Sequence, residues 1–146
     1  MSHAERGDAS PGIKAVIFDV GGVLVRTHDW TGRRRWEREL ALQPGRAEWL
    51  VFHSEPGLQA QMGKLTEAGL WQAVAAELGL DPARLDAFRQ DFWAGDALDE
   101  ELVAYIRSLR PAYQTAIISN FNESLRDSLE RTYPIADAFD LIVVSA

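Results

Sequence analysis

A chain of 146 residues, 47% hydrophobic and 25% charged, has the size and composition of one soluble globular domain, or of a small domain carrying an insertion. Its net charge of −7 disfavours nucleic acid, whose phosphates need a basic face, and no apolar run approaches the ~20 residues of a membrane span. The absence of cysteine excludes disulfides, thiolate metal sites and a cysteine nucleophile.

Residues 1–12, MSHAERGDASPG, are polar and lack the apolar core of a signal peptide, so a disordered tail on a cytoplasmic protein is expected. The stretch Ile13 to Val25, IKAVIFDVGGVLV, follows. Its apolar run bounded by glycines reads as a fully buried strand of a parallel sheet, over roughly 14–20. Asp19 falls at the carboxyl end of that strand, and Gly21-Gly22 makes a tight turn with bare backbone amides. In open α/β sheets ligands bind at this place. The turn spells neither a dinucleotide-binding nor a P-loop fingerprint, and a purely structural role for Asp19 stays open at this point.

From Arg26 to about residue 98 the pattern is helical, with no strand expected before about 113. Arg33 to Arg38, RRRWER, carries Trp36 and Leu40 on one face; its three arginines either meet an anionic substrate or form a solvated face, the second being the ordinary outcome. Ala47 to His53 makes a short apolar helix and Ser54 to Gly57 a loop. Thr66 caps a helix from Glu67 to Leu78 that Gly79 stops, and Asp81-Pro82 opens another through about Phe92. The five tryptophans gather in this region, as bundle core or as an aromatic cage. Asp99 caps a helix through Leu109; strand two is Gln114 to Ile118; Asn122 caps the next helix; strand three is about Leu141 to Val144. The second strand runs into Ser119-Asn120, a hydroxyl and an amide at a carboxyl edge. Alternating strands and helices imply an α/β fold with a parallel sheet of about three strands and a helical insert placed to cover Asp19.

These residues resemble the haloacid dehalogenase (HAD) superfamily. FDVGGVL matches its first motif, with Asp19, Gly21 and Val23 in frame, and Ile117-Ile118-Ser119-Asn120 matches its second. GKLTEAGLW, Gly63 to Trp71, is similar to the helical cap of the phosphatase branch that includes the amino-terminal domains of epoxide hydrolases. The resemblance implies an incomplete doubly wound, Rossmann-like core over 13–25 and 99–146 and a helical cap over 26–98. It also implies Mg²⁺-dependent hydrolysis of a small phosphorylated metabolite through an aspartyl-phosphate. Asp19 corresponds to the nucleophile and Ser119 to the hydroxyl that holds a phosphoryl oxygen. Gly21, Gly22 and Asn120 correspond to the substrate cradle, and Asp19 with the Gly21 carbonyl to Mg²⁺ ligands.

Three departures qualify that picture. Gly21 stands where the family carries a second aspartate, a proton donor whose loss costs about 10²–10⁴ in rate; His28 and Asp29, nine and ten residues beyond Asp19, are weak substitutes. The only lysines, Lys14 and Lys64, do not fit the motif lysine, and Asp137 and Asp140 precede strand three and do not fit the distal acidic pair. A front part of a longer enzyme is therefore expected, with strand one open on one edge and self-association through that edge as a consequence. The alternatives are a catalytically inactive HAD-fold binding or regulatory protein and, behind it, a 2-haloacid dehalogenase.

Overall fold

The computed structural model describes residues 12–146, so the tail expected over 1–12 lies outside the described residues but for Gly12. The chain forms β1 (Ala15–Phe18) and β2 (Val25–Thr27), then helices α1 (Thr31–Glu39), α2 (Arg46–Phe52), α3 (Glu55–Gln61), α4 (Glu67–Leu78) and α5 (Pro82–Trp93). It continues through β3 (Asp96–Leu98), α6 (Glu100–Ser108), β4 (Gln114–Ser119), a short α7 (Leu125–Asp127) that widens into a π turn to Thr132, and β5 (Leu141–Val144). No helix among the described residues is long and apolar enough to cross a membrane.

The three apolar strands make one parallel sheet in the order β1-β4-β5, the mixed α/β architecture expected from the alternation of elements. Phe18 pairs with Ile117 and Ser119 with Val144. Because side chains alternate across a strand, Phe18, Ile117, Ile142 and Val144 share one face. That face packs on Val103 and Ile106 of α6 and on Leu125, Leu129, Ile135 and Phe139, forming one hydrophobic core. Phe18 and Phe139 meet edge to face with centroids 6.2 Å apart. The opposite face, with Ile17, Ile118, Leu141 and Val143, is exposed.

The helices α1 to α5 bury a second core around Trp36, Leu50, Leu70, Trp71, Val74, Phe88 and Phe92. Helix starts are capped as the sequence demands, in this insert and at α6. Thr66 accepts from the Gly69 amide, Asp81 from Arg84 and Asp99 from Leu102, and Gly79 ends α4 in a left-handed conformation.

The structure corrects the sequence reading at several places. Strand one is not fully buried, since its outer face is uncovered by any described residue and Ile17 is 58% exposed. Strand one stops at Phe18, because the Val20 carbonyl accepts from the amides of Val23, Leu24 and Val25 and winds the chain into a turn. Two further strands, β2 and β3, pair antiparallel where the chain enters and leaves the helices; three residues each are too few to show an alternation. The loop expected at Ser54 to Gly57 opens α3: the Ser54 hydroxyl accepts from the Gly57 amide, and Pro56 sits in the first turn where its missing N–H costs nothing. The insert thus has five helices rather than four. Arg33 is not on a solvated face. Its guanidinium is 4% exposed, donates to Phe92 O and Asp96 Oδ1 at 2.8 and 2.9 Å, and lies 4.0 Å from the Phe92 ring centroid.

The tryptophans divide. Trp36 and Trp71 are core, whereas Trp30 and Trp49 are exposed, each with arginine guanidinium stacked on its ring. The two chain passages between sheet and helices lie against each other at Gly95. The amides of His28 and Asp29 both donate to its carbonyl, and a Cβ there would fall inside the Asp29 carbonyl group.

Candidate active site

Asp19 follows β1 directly and is exposed at the carboxyl end of the sheet. The β1–β4 register, continued past Phe18 and Ile117, sets Asp19 level with Ile118 and Ser119 one step further on. A strand spacing of ~4.8 Å and a rise of ~3.3 Å then put the two Cα atoms about 6 Å apart. Both residues stand at the same end of neighbouring parallel strands.

The Asp19 carboxylate is oriented by its own turn. Oδ1 accepts the Val20 amide at 2.7 Å, and Oδ2 has no hydrogen bond to any described residue. The turn's other bonds use the amides of Gly22, Val23, Leu24 and Val25, and the Gly21 amide takes no part in them. Gly22 has φ of 73°, a left-handed conformation that side chains resist, so glycine is required there. Gly21 has an ordinary φ, with nothing within 4 Å of where a Cβ would stand. Glycine at 21 is therefore not imposed by the backbone.

On the neighbouring strand end, Ser119 is buried, and its hydroxyl makes no hydrogen bond to a described residue. Its carbonyl accepts the Ser145 amide at 3.1 Å, which holds the strand end in register with β5. Asn120 is exposed beside it. The structure thus gathers Asp19, Gly21 and Gly22 on one turn, with Ser119 and Asn120 across from it.

The other candidates stand elsewhere. Lys14 precedes β1 at the opposite end of the sheet, where its carbonyl accepts the Gln114 amide, and Lys64 lies between α3 and α4. Asp140 caps the start of β4: its carboxylate accepts the Thr115 amide and Arg110. Asp137 pairs with Arg107. Asp29 is spent on α1; hydrogen bonds from the Thr31 hydroxyl and amide hold its carboxyl below the usual range, which makes it a poor proton donor. Arg126 donates to the Ile142 carbonyl and Arg131 pairs with Asp127, so neither faces the Asp19 turn.

For a hard cation the site offers one carboxylate, Asp19, and one carbonyl, Gly21, both oxygen. Mg²⁺ commonly takes one or two carboxylates and completes its octahedron with water and substrate phosphate, so this donor set fits it. Among the described residues no cluster of three acidic or histidine side chains offers a fuller cage.

No protein-family model and no curated protein matches the chain. Solved structures do. A HAD-like family hydrolase from Porphyromonas gingivalis superposes with a TM-score of 0.65 at 22% identity, over 91% of this chain and 66% of that one. A HAD family enzyme from Bacteroides thetaiotaomicron, in complex with magnesium and inorganic phosphate, gives 0.71 at 18% identity over 92% of this chain and 69% of its own. The chain thus shares the fold of these HAD structures. An L-2-haloacid dehalogenase from Xanthobacter autotrophicus, with chloropropionic acid covalently bound, shares the HAD fold at a TM-score of 0.54 and 25% identity, over 91% of this chain and 57% of that one. The chain thus spans roughly two thirds of the length of these HAD structures, and less of the dehalogenase.

Sequence reasoning missed how the helices sit on the strand ends of this HAD fold. The rings of Phe52 and Trp93 from the helices and Phe121 from the loop after β4 form a closed triangle with centroids 6.0 to 6.4 Å apart. On one flank Ser145 Oγ donates to the Gln61 carbonyl at 2.6 Å, and on the other Glu123 accepts the Glu67 amide at the start of α4. The only signal in the sequence was Phe121 itself, a large apolar side chain placed directly after a polar strand end.

Proposed function

We propose that this chain carries the nucleophile, phosphate cradle and cap of a Mg²⁺-dependent phosphomonoesterase acting on a small phosphorylated metabolite. The observation that supports it is the pairing of a free Asp19 Oδ2 with an unengaged Ser119 hydroxyl at the same end of adjacent parallel strands. Asp19 Oδ2 attacks phosphorus in line with the ester oxygen. The P–O bond to the alcohol breaks, the alcohol takes a proton from water, and an aspartyl-phosphate remains. A second water then adds to phosphorus, frees the carboxylate and releases inorganic phosphate. Ser119 donates to a phosphoryl oxygen, and Asn120 with the backbone amides of Gly21 and Gly22 completes the anion cradle. Asp19 and the Gly21 carbonyl would hold Mg²⁺, which would supply charge neutralisation for the phosphoryl group.

Calorimetric titration of the protein with inorganic phosphate tests this. Binding is expected with Mg²⁺, reduced at least ~10-fold by Ser119→Ala, where one charge-assisted hydrogen bond is lost, and abolished by Asp19→Ala. Phosphate bound equally well by Asp19→Ala overturns the assignment.

A second reading, binding without turnover, draws on Gly21 in the proton donor's place and on Lys14 and Lys64 standing away from the strand ends. Asp19-dependent loss of chloride from 2-chloropropionate, with no phosphate binding, moves the assignment to the chemistry named for the Xanthobacter enzyme.

A further inference from the structure

The insert carries an open cleft of about 250 Å³, built by α2, α3 and α4 alone. Pockets of ~300–1,000 Å³ hold drug-sized ligands, so this one has room for a smaller metabolite. Buried Leu50 and Val74 form its floor, with Pro56 and the half-exposed Trp49 beside them. None of its lining residues belongs to the Asp19 turn, the end of β4 or the Phe52–Trp93–Phe121 triangle, so it is separate from the candidate active site.

Four polar side chains line the cleft, and one of them is spent on the fold. The Ser54 hydroxyl donates to the Leu50 carbonyl and accepts the Gly57 amide. The other three are charged: Arg46, Glu55 and Glu77. The Arg46 guanidinium lies 4.1 Å from the Trp49 ring centroid, a stack that fixes its plane, and Nη2 donates to Glu77 Oε1 at 3.3 Å. Its other N–H groups donate to no described residue, so most of the fork is open to a ligand. Glu55 accepts from the neutral Gln59 amide at 2.6 Å and pairs with no cation among the described residues. A simple carboxylate is therefore opposed by Glu55 and Glu77, and a simple amine by Arg46. A molecule with both charges at one end of an apolar body meets a partner of opposite sign for each.

We propose that this cleft binds a free α-amino acid with a branched apolar side chain. The ligand carboxylate accepts from the Arg46 fork, the ammonium donates to Glu55, and the side chain rests on Leu50, Pro56 and Val74. The Arg46–Glu77 pair survives, because the fork has donors for both carboxylates. This site stands whether or not Asp19 turns over phosphate esters.

Four matched ligands, titrated calorimetrically into the parent protein, test it. L-Leucine is expected to bind at least ~10-fold more tightly than 4-methylpentanoate, which lacks the ammonium, 3-methylbutylamine, which lacks the carboxylate, or glycine, which lacks the side chain. Arg46→Gln and Glu55→Gln remove one charge each from the exposed rim and are each expected to weaken leucine binding at least ~10-fold, with the circular dichroism spectrum unchanged. Asp19→Ala is expected to bind leucine as the parent does. No heat from leucine, or leucine bound no more tightly than the amine, the acid or glycine, overturns the proposal without any variant being needed. Leucine binding that survives both rim substitutions, or that is lost in Asp19→Ala, also overturns it. Inorganic phosphate, titrated separately, decides the phosphatase reading, so the two can fail independently.

Discussion

Arg33 in the first helix of the insert donates to Asp96 Oδ1 at 2.9 Å, and the Thr27 hydroxyl donates to the same oxygen at 2.7 Å. One carboxylate thereby joins the strand that enters the helices, the strand that leaves them and the helix between. Burial pushes the Arg33 guanidinium below its usual range, and Asp96 opposes that most strongly among its neighbours. It stays charged, so removing it strands Asp96 in a nearly buried position. Arg33→Ala is expected to lower stability by about 3–5 kcal/mol, as the loss of one member of a buried pair does. Arg33→Lys is expected to recover little of this, because one ammonium cannot reach both the Phe92 carbonyl and Asp96 as the fork does. Urea denaturation of the three proteins measures both effects.

Gly21 offers a sharper test of the site than a deletion does. Its φ is ordinary and a Cβ meets nothing within 4 Å, so Gly21→Asp is expected to fold with its melting temperature unchanged within a few degrees. The new carboxyl stands two residues beyond Asp19, on the turn that holds the proposed cradle. If Asp19 turns over phosphate esters, a positioned proton donor is expected to raise the rate with a poor, alkyl leaving group by ~10²–10⁴, and far less with p-nitrophenolate, which needs no proton. Background rates in both proteins, with phosphate still bound, are the outcome of the binding-only reading.

The parts of this molecule that were legible in its sequence are those governed by one side chain and its near neighbours. Thr66, Asp81 and Asp99 cap helices because their oxygens reach amides three residues on, a relationship any helix start repeats. The strand at Ile117 and the Asp19 turn announced themselves through apolar runs cut by polar or glycine residues. Arg33 did not, because a run of three arginines carries no mark of which one turns inward; the answer depends on Asp96, which is 63 residues away. The β2–β3 pair was hidden for the same reason, since its register exists only once the helices have closed the loop. Asn122 was expected to cap the next helix; Ser124 stands at that position instead, and Asn122 turns the chain toward it by accepting the Ser124 amide.

Asp140 ties the start of β4 to β5 through two charge-assisted bonds, from the Thr115 amide and from Arg110, each 2.8 Å long. The Thr115 amide first, and Arg110 after it, hold the Asp140 carboxyl below its ordinary value of 3.8. A carboxyl whose folded pKa lies below its unfolded one stabilises the fold fully above the unfolded value. That contribution drains away as the pH falls through 3.8 and on through the lower folded value. Asp140→Asn is therefore expected to be less stable than the parent at neutral pH, with the gap closing below about pH 3.8. Thermal melts from pH 7 to pH 2 read this directly, and a gap that persists unchanged into acid contradicts it.

The sheet leaves one face uncovered by any described residue. Ile17 is 58% exposed, Ile118 52% and Leu141 58%, and the pairing of Ala116 with both Ile17 and Leu141 makes them near neighbours on that face. Parallel sheets ordinarily carry helices on both faces, and among the described residues β1 in addition has no partner strand on its outer edge. Both features favour association of one copy with another through this side of the molecule. Sedimentation velocity of the protein is expected to show an average mass that rises with concentration. Ile118→Lys places an ammonium on the central strand of the face, pointing away from the Ile117 core. It is expected to shift the species toward monomer with the fold intact by circular dichroism. Ile17→Lys on β1 is expected to do the same and to disturb edge pairing as well. A parent protein that is monomeric at every concentration removes this expectation.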